Sequence, residues 1–93
     1  MIRSFRGRRT QAFFEGRLVP QFQAFADQAG RRLVMLDKAR SLGDLAAVPG
    51  NRLEALSGDR QGQHSIRINR RWRVCFEWRG DGPHNVEIVD YHD

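Results

Sequence analysis

From His64 to Asp90 the side chains alternate between apolar and polar, and this period of two decides most of what the chain can become. Ile66 and Ile68 fall on one side of the first run, with Ser65, Arg67 and Asn69 on the other. Asn69-Arg70-Arg71 forms a compact turn, after which Trp72, Val74, Phe76 and Trp78 line one face of a second run, opposed by Arg73, Cys75, Glu77 and Arg79. Gly80-Asp81-Gly82-Pro83 reads as a second turn. Val86 and Ile88 then alternate with Glu87 and Val89 in a last strand ending near Asp90. Such alternation marks strands with one buried face. Runs joined by so few residues are antiparallel neighbours.

Upstream the period changes. Ile2 to Phe5 alternates briefly and predicts a short first strand ended at Gly7, and Thr10 to Glu15 reads as a short helix stopped at Gly16. Pro20 suits a first helical turn. Phe22, Phe25, Ala29, Leu33 and Leu36 recur at threes and fours, the stripe of a helix laid against a core. The spacing predicts one long helix to about Ala39, with a local break allowed at Gly30, where glycine costs about 1 kcal/mol relative to alanine. Ser41 and Asp44 form a capping pair for a further helical face of Leu42, Leu45 and Val48, terminated by Pro49-Gly50. Helices first and a meander last make an α+β domain, with Leu33 and Leu36 buried against the sheet. At 93 residues, without repeats or a linker, one domain spanning 1–93 accounts for the chain.

Charge narrows the partner. Sixteen basic residues against eleven acidic ones give +5, and all the basic residues except Lys38 are arginine, whose planar fork of donors suits phosphate oxygens and stacks on bases. Arg60, Arg67, Arg70, Arg71, Arg73 and Arg79 fall in one stretch with Glu77 as its only acid. Arg67 and Arg73 share the polar face of paired strands, a surface able to hold the phosphate backbone of RNA. An ordinary solvated sheet face carrying its charges for solubility is the other reading of the same residues.

Several chemistries are disfavoured. Cys75 stands alone, which excludes an internal disulfide framework and a cysteine zinc cluster, and His64, His84 and His92 lack ligand spacing. No metal or cofactor is expected. Gly58-Asp59-Arg60-Gln61-Gly62 lacks phosphate-loop spacing, and its glycines shape a turn. No run approaches the roughly 20 apolar residues of a membrane span. With no signal-like apolar run at Met1-Ile2-Arg3-Ser4-Phe5, no membrane is expected and the expected address is the cytoplasm.

Asp90-Tyr91-His92-Asp93 gathers carboxylate, phenol and imidazole at the end of the last strand. A metal-free ribonuclease needs a group to remove the 2′-hydroxyl proton, a cation to hold the crowded phosphate, and a donor for the leaving 5′-oxygen. Tyr91 or His92 suits the proton transfers, and Arg73 or Arg67 the phosphate. A docked aromatic with a polar chain end is the plainer reading, in which Asp90 accepts backbone N–H groups or pairs with an arginine.

The stretch Arg52-Leu53-Glu54-Ala55-Leu56-Ser57-Gly58-Asp59-Arg60-Gln61-Gly62-Gln63-His64-Ser65-Ile66-Arg67-Ile68-Asn69, followed by Trp72-Arg73-Val74-Cys75-Phe76 and Val89-Asp90-Tyr91-His92, resembles the HigB-type toxins of the RelE/ParE superfamily, also called plasmid maintenance killer proteins. The resemblance implies a RelE-like fold, with an N-terminal short strand and helices packed on a mostly antiparallel twisted sheet. It also implies a toxin of a type II toxin-antitoxin system that cuts mRNA at the ribosome without a metal or cofactor. Its partner would be a HigA-like helix-turn-helix antitoxin, through which the toxin meets operator DNA indirectly.

Carried onto this chain, the resemblance assigns catalysis to Arg73, Asp90, Tyr91 and His92, and RNA binding to Arg60, Arg67, Asn69 and Arg71. Glu54 and Ser57 depart from relatives that place a histidine and a lysine there. A carboxylate donates a proton only where its surroundings keep it protonated, and it repels phosphate. Glu54 is therefore a possible catalytic substitute, as a base or as a partner orienting His92. A ParE-like toxin directed at DNA gyrase and a non-catalytic RNA- or ribosome-binding module are the competing readings.

Overall fold

In the computed structural model, which describes residues 1–91, the alternating half of the chain forms β2 (His64–Arg67), β3 (Trp72–Arg79) and β4 (Gly82–Asp90). A two-residue strand, β1 (Glu54–Ala55), pairs with β2, and among the described residues the four make one antiparallel sheet in the order β1-β2-β3-β4. Ile66 lies opposite Val74 and Val74 opposite Ile88, so one apolar row crosses three strands. The sequence shows nothing of β1 because two exposed residues cannot display an alternation.

The turns follow from local chemistry. The Asn69 side-chain oxygen accepts the backbone N–H groups of Arg71 and Trp72, each at 2.8 Å, which holds the chain in its reversal into β3. The second turn is shorter than the predicted Gly80–Pro83, because Arg79 pairs with Gly82 and Trp78 with Pro83, leaving Gly80 and Asp81 at the bend. Gly82 has φ of 123°, and a Cβ there would sit 2.9 Å from the Met1 carbonyl oxygen, so this close crossing requires glycine. Pro83 serves in the strand through its carbonyl, which accepts the Arg3 N–H at 2.9 Å.

The predicted first strand at Ile2–Phe5 reduces to a single parallel bridge between Phe5 and Val86. Its neighbour β4 carries a bulge, with three steps from His84 to Glu87 facing two from Glu77 to Cys75, and Asn85 lies within it at φ 53°. That bend interrupts a continuous ladder. The segment still covers the outer edge of β4, through Val86 N–H to Ser4 O and Arg6 N–H to Val86 O, both at 3.0 Å.

The helical half consists of α1 (Arg8–Phe14), a 3-10 helix at Pro20–Phe25, α2 (Ala26–Lys38), α3 (Leu42–Ala46) and a 3-10 turn at Pro49–Asn51. The single long helix is thus corrected. The break falls at Phe25 (φ −129°, ψ 27°), and α2 runs straight through Gly30. Three residues per 3-10 turn place Phe22 and Phe25 one above the other, and both rings meet Trp72, with centroids 5.8 and 4.8 Å away. Ala29, Leu33 and Leu36 of α2 are fully buried in the cluster that holds Ile66, Val74, Phe76 and Val86. Ser41 caps α3 by accepting the Asp44 N–H at 3.2 Å. Beneath α3, buried Asn51 accepts from Arg32 at 2.8 Å and donates to the Leu45 carbonyl at 3.0 Å. No helix among the described residues is long and apolar enough to cross a membrane.

Adjacent positions on α2 test this packing. Leu33 is 0% exposed and Val34 47%. Leu33→Ala should lower unfolding free energy by about 2–5 kcal/mol, and Val34→Ala should change it by less than about 0.5 kcal/mol. Urea titration of both variants reads the difference, and equal losses would contradict the assigned core.

Candidate active site

The register sets Arg67 directly opposite Arg73, with Val89 on the other side of Arg73, all on the sheet face turned away from the core. This face is less open than the sequence predicts. β1 extends the sheet edge beside β2, from the loop after it Arg60 reaches over to Glu87 on β4, and Ser65 and Cys75 are completely buried. Arg73 is accordingly held inside the surface, its side chain 11% exposed. Its Nε donates to Ser65 Oγ at 2.7 Å, one diagonal step along β2, and its Nη2 donates to the Arg52 carbonyl at 2.7 Å.

Arg52 reaches that position by adopting φ 44°, ψ 55°. For a residue with a Cβ this left-handed conformation costs roughly 1–2 kcal/mol. It swings the Arg52 carbonyl toward the guanidinium. Both fixed acceptors are neutral, so they orient Arg73 without cancelling its charge. Glu54 Oε1 lies 3.6 Å from Nη2 on a side chain 55% exposed, and no other carboxylate of the described residues comes within 4 Å of Arg73.

A second group gathers at the turn. Arg71 grips the Asp90 carboxylate with Nε at 2.9 and 3.0 Å and Nη2 at 2.8 Å. The hydrogen bond from Asp90, and then its charge, push the Arg71 guanidinium further above its ordinary range. The Tyr91 N–H donates to the Arg71 carbonyl at 2.7 Å, so backbone pairing with the turn continues one residue past β4. Arg67 Nε donates to the Asn69 carbonyl at 3.0 Å. Asn69, Arg71, Asp90 and the Tyr91 backbone thus form one tied unit at the β2–β3 turn, with Asp90 on the Trp72 side of the sheet and Arg67 and Arg73 on the other. His92 lies outside the described residues.

Arg60 belongs elsewhere on the face. Its Nη1 donates to Gln63 at 3.1 Å and reaches Glu87 at 3.5 Å, the residue registered opposite Cys75. It closes the surface over that thiol. Sequence reasoning did not find Ser65 or Arg52, which do the most to aim Arg73. Ser65 had a signal in the alternation, since it shares the strand face of Arg67. Arg52 had none, because a carbonyl direction depends on φ and ψ.

The arrangement can hold a phosphoryl oxygen against a pre-oriented cation with the Glu54 carboxylate beside it, while Asp90, registered opposite Trp72, starts from the other face of the sheet and is drawn to the turn by Arg71. Preorganised charge of this kind stabilises a crowded phosphate because nothing has to reorient as negative charge grows.

Helices packed on one face of a four-stranded antiparallel sheet match the RelE-like fold. Over residues 3–92 the chain matches the HigB-like toxin family, described as the RelE-like toxin of the type II toxin-antitoxin system HigB, and it belongs to that family. It is 35% identical over 82 residues to Toxin HigB-1 of Vibrio cholerae serotype O1 (strain ATCC 39315 / El Tor Inaba N16961), covering 84% of each chain. It is 31% identical to Endoribonuclease HigB of Proteus vulgaris, over 97 aligned positions covering 99% of this chain and 100% of the relative. Membership of a toxin-antitoxin family entails an antitoxin as partner.

Cys75 offers a check on how closed this face is. Burial pushes its thiol above the ordinary value; Arg60 and Arg73 pull it down and Glu87 pushes it up. In the folded protein at pH 8, iodoacetamide should leave Cys75 unmodified for hours, and in urea it should react within minutes. Rapid labelling of the native protein, followed by mass spectrometry, would show that the surface over Cys75 is open.

Proposed function

We propose that this toxin is a metal-independent endoribonuclease that cuts mRNA at the ribosome. The observation that carries the proposal is Arg73, fixed by two neutral acceptors with Glu54 beside it and the Asp90–Tyr91 unit at the β2–β3 turn. The family to which the chain belongs supports the reading, as does the name Endoribonuclease HigB carried by the Proteus vulgaris relative.

In the proposed reaction the 2′-oxygen attacks the neighbouring phosphorus. Glu54 takes the 2′-hydroxyl proton, the new P–O2′ bond forms, and Arg73 balances charge on the non-bridging oxygens. The P–O5′ bond breaks, and a proton from Tyr91 or His92 passes to the leaving oxygen. The products are a 2′,3′-cyclic phosphate and a 5′-hydroxyl. Arg67 and Asn69 contact the strand, Arg60 supports it from across the sheet, and Arg71 acts by holding Asp90 in place.

The antitoxin in this proposal is a HigA-like helix-turn-helix protein, which also carries the toxin to operator DNA. The site of action is the cytoplasm, and residues 1–93 act as one domain. A partner with an acidic or amphipathic surface fits a chain of formal charge +5.

Cleavage of a programmed ribosome complex tests the assignment. Arg73→Ala should slow cleavage by about 10²–10³, the usual loss when a charge-stabilising donor is removed. Glu54→Gln and His92→Ala should each slow it by about 10²–10⁴ if they transfer protons as assigned. Wild-type rates in Arg73→Ala would defeat the proposal. Trapped gyrase-DNA complexes with intact transcripts would replace it with a gyrase-directed action.

A further inference from the structure

Beyond the catalytic face the structure has a second basic concavity. It lies at the outer edge of β4, between the start of α1 and the 3-10 helix, and has a volume of about 400 Å³. Arg6, Arg8, Arg9, Gln21, Trp72 and Glu87 are among its walls.

Three features set it apart from an ordinary charged surface. Gly7 turns at φ 85°, so that arginines on both sides of it line one cleft. The side chains of Arg6, Arg8 and Arg9 make no ion pair with any described residue, whereas Glu87, the acid in the wall, is engaged by Arg60 at 3.5 Å. Three unneutralised guanidinium groups in one concavity repel each other, and a polyanion relieves that repulsion. The third feature is Trp72, a partly buried aromatic wall held between two rings. Phe25 packs against its ring at 4.8 Å and Phe22 meets it edge-on at 5.8 Å, while the indole also lines the cleft.

Phosphate-binding guanidinium groups around a fixed aromatic plane are the two elements that single-stranded nucleic acid requires. Gln21 adds a hydrogen-bonding amide for a base edge. The cleft also adjoins the proposed catalytic end, because Trp72 is registered opposite Asp90. We infer that this cleft is a nucleotide subsite, in which one base of an RNA strand stacks on Trp72 and its flanking phosphates are held by Arg6, Arg8 and Arg9. A strand passing from the catalytic face around the end of β4 would place there a nucleotide flanking the scissile bond. The identity of the strand as RNA rests on the proposed function; the cleft itself does not require cleavage.

The test uses the full chain with an uncleavable 2′-O-methyl tetranucleotide. In a Trp78→Phe background Trp72 is the sole indole, and its emission should be quenched on binding. The Arg6→Ser/Arg8→Ser/Arg9→Ser variant should bind at least tenfold more weakly. Its slope of log affinity against log salt should fall by about 1.4, since each of the two flanking phosphates contributes about 0.7 on a single strand. Trp72→Leu should bind inorganic phosphate as before but lose about tenfold in affinity for a nucleoside monophosphate. If that variant does not fold, the triple-arginine variant still decides.

Arg73→Ala should weaken binding of the tetranucleotide yet keep the Trp72 quenching at saturation, which separates the cleft from the catalytic face. Wild-type binding by the triple-arginine variant, or no Trp72 response, would overturn the inference. Equal affinity for phosphate and nucleotide would also overturn it, as would arginines shielded from phenylglyoxal by the antitoxin and not by the oligonucleotide. Quenching without any transcript cleavage would sink the nuclease and leave the subsite standing; cleavage without quenching would do the reverse.

Discussion

The pairing of β2 with β3 is the constraint from which the rest follows. Asn69 holds the turn by accepting two backbone N–H groups, and the register it enforces sets Arg67 against Arg73 and Ile66 against Val74. A slip of one residue would turn every side chain to the other face. Arginines would then enter the core and isoleucines turn to the opposite face. The burial of the Ile66–Val74–Ile88 row against Leu33 and Leu36 makes that slip prohibitive.

With the register set, the two faces of the sheet take different tasks. One packs on α2 and is dry. The other is crossed by the Arg60–Glu87 and Arg73–Arg52 contacts, and it buries polar groups: Ser65, Cys75 and most of Arg73. Burying a cation is tolerable only when its donors are satisfied, and Ser65 and the Arg52 carbonyl satisfy two of them. The left-handed Arg52 is the local strain that this arrangement carries, and it lies beside the proposed chemistry, where such strain tends to occur.

The chain end is positioned by the same turn. Arg71, read from sequence as an RNA contact, spends its guanidinium on Asp90, and its carbonyl secures Tyr91. Electrostatics that began as a count of arginines therefore divides by geometry. Arg73 is oriented, Arg71 anchors, and Arg60 seals the surface over Cys75. Arg6, Arg8 and Arg9, which drew no attention in the sequence, are left without carboxylate partners among the described residues.

The sequence by itself determined the α+β class, the three longer strands, their shared apolar face and the stripe of α2. Each of these is a periodicity, and periodicity reports which side chains can be buried together. It also carried the family resemblance, through Arg73 and the Asp90-Tyr91-His92 end. Only the tertiary structure decided the break at Phe25, the two-residue turn at Gly80-Asp81, strand β1, and the bulge that reduces the N-terminal strand to one bridge. It alone decided where Arg73 points. Those features depend on contacts between residues distant in the chain: two phenylalanines on Trp72, Gly82 against Met1, a guanidinium meeting the carbonyl of Arg52. A local pattern holds no record of which distant atom stands at the other end of a bond.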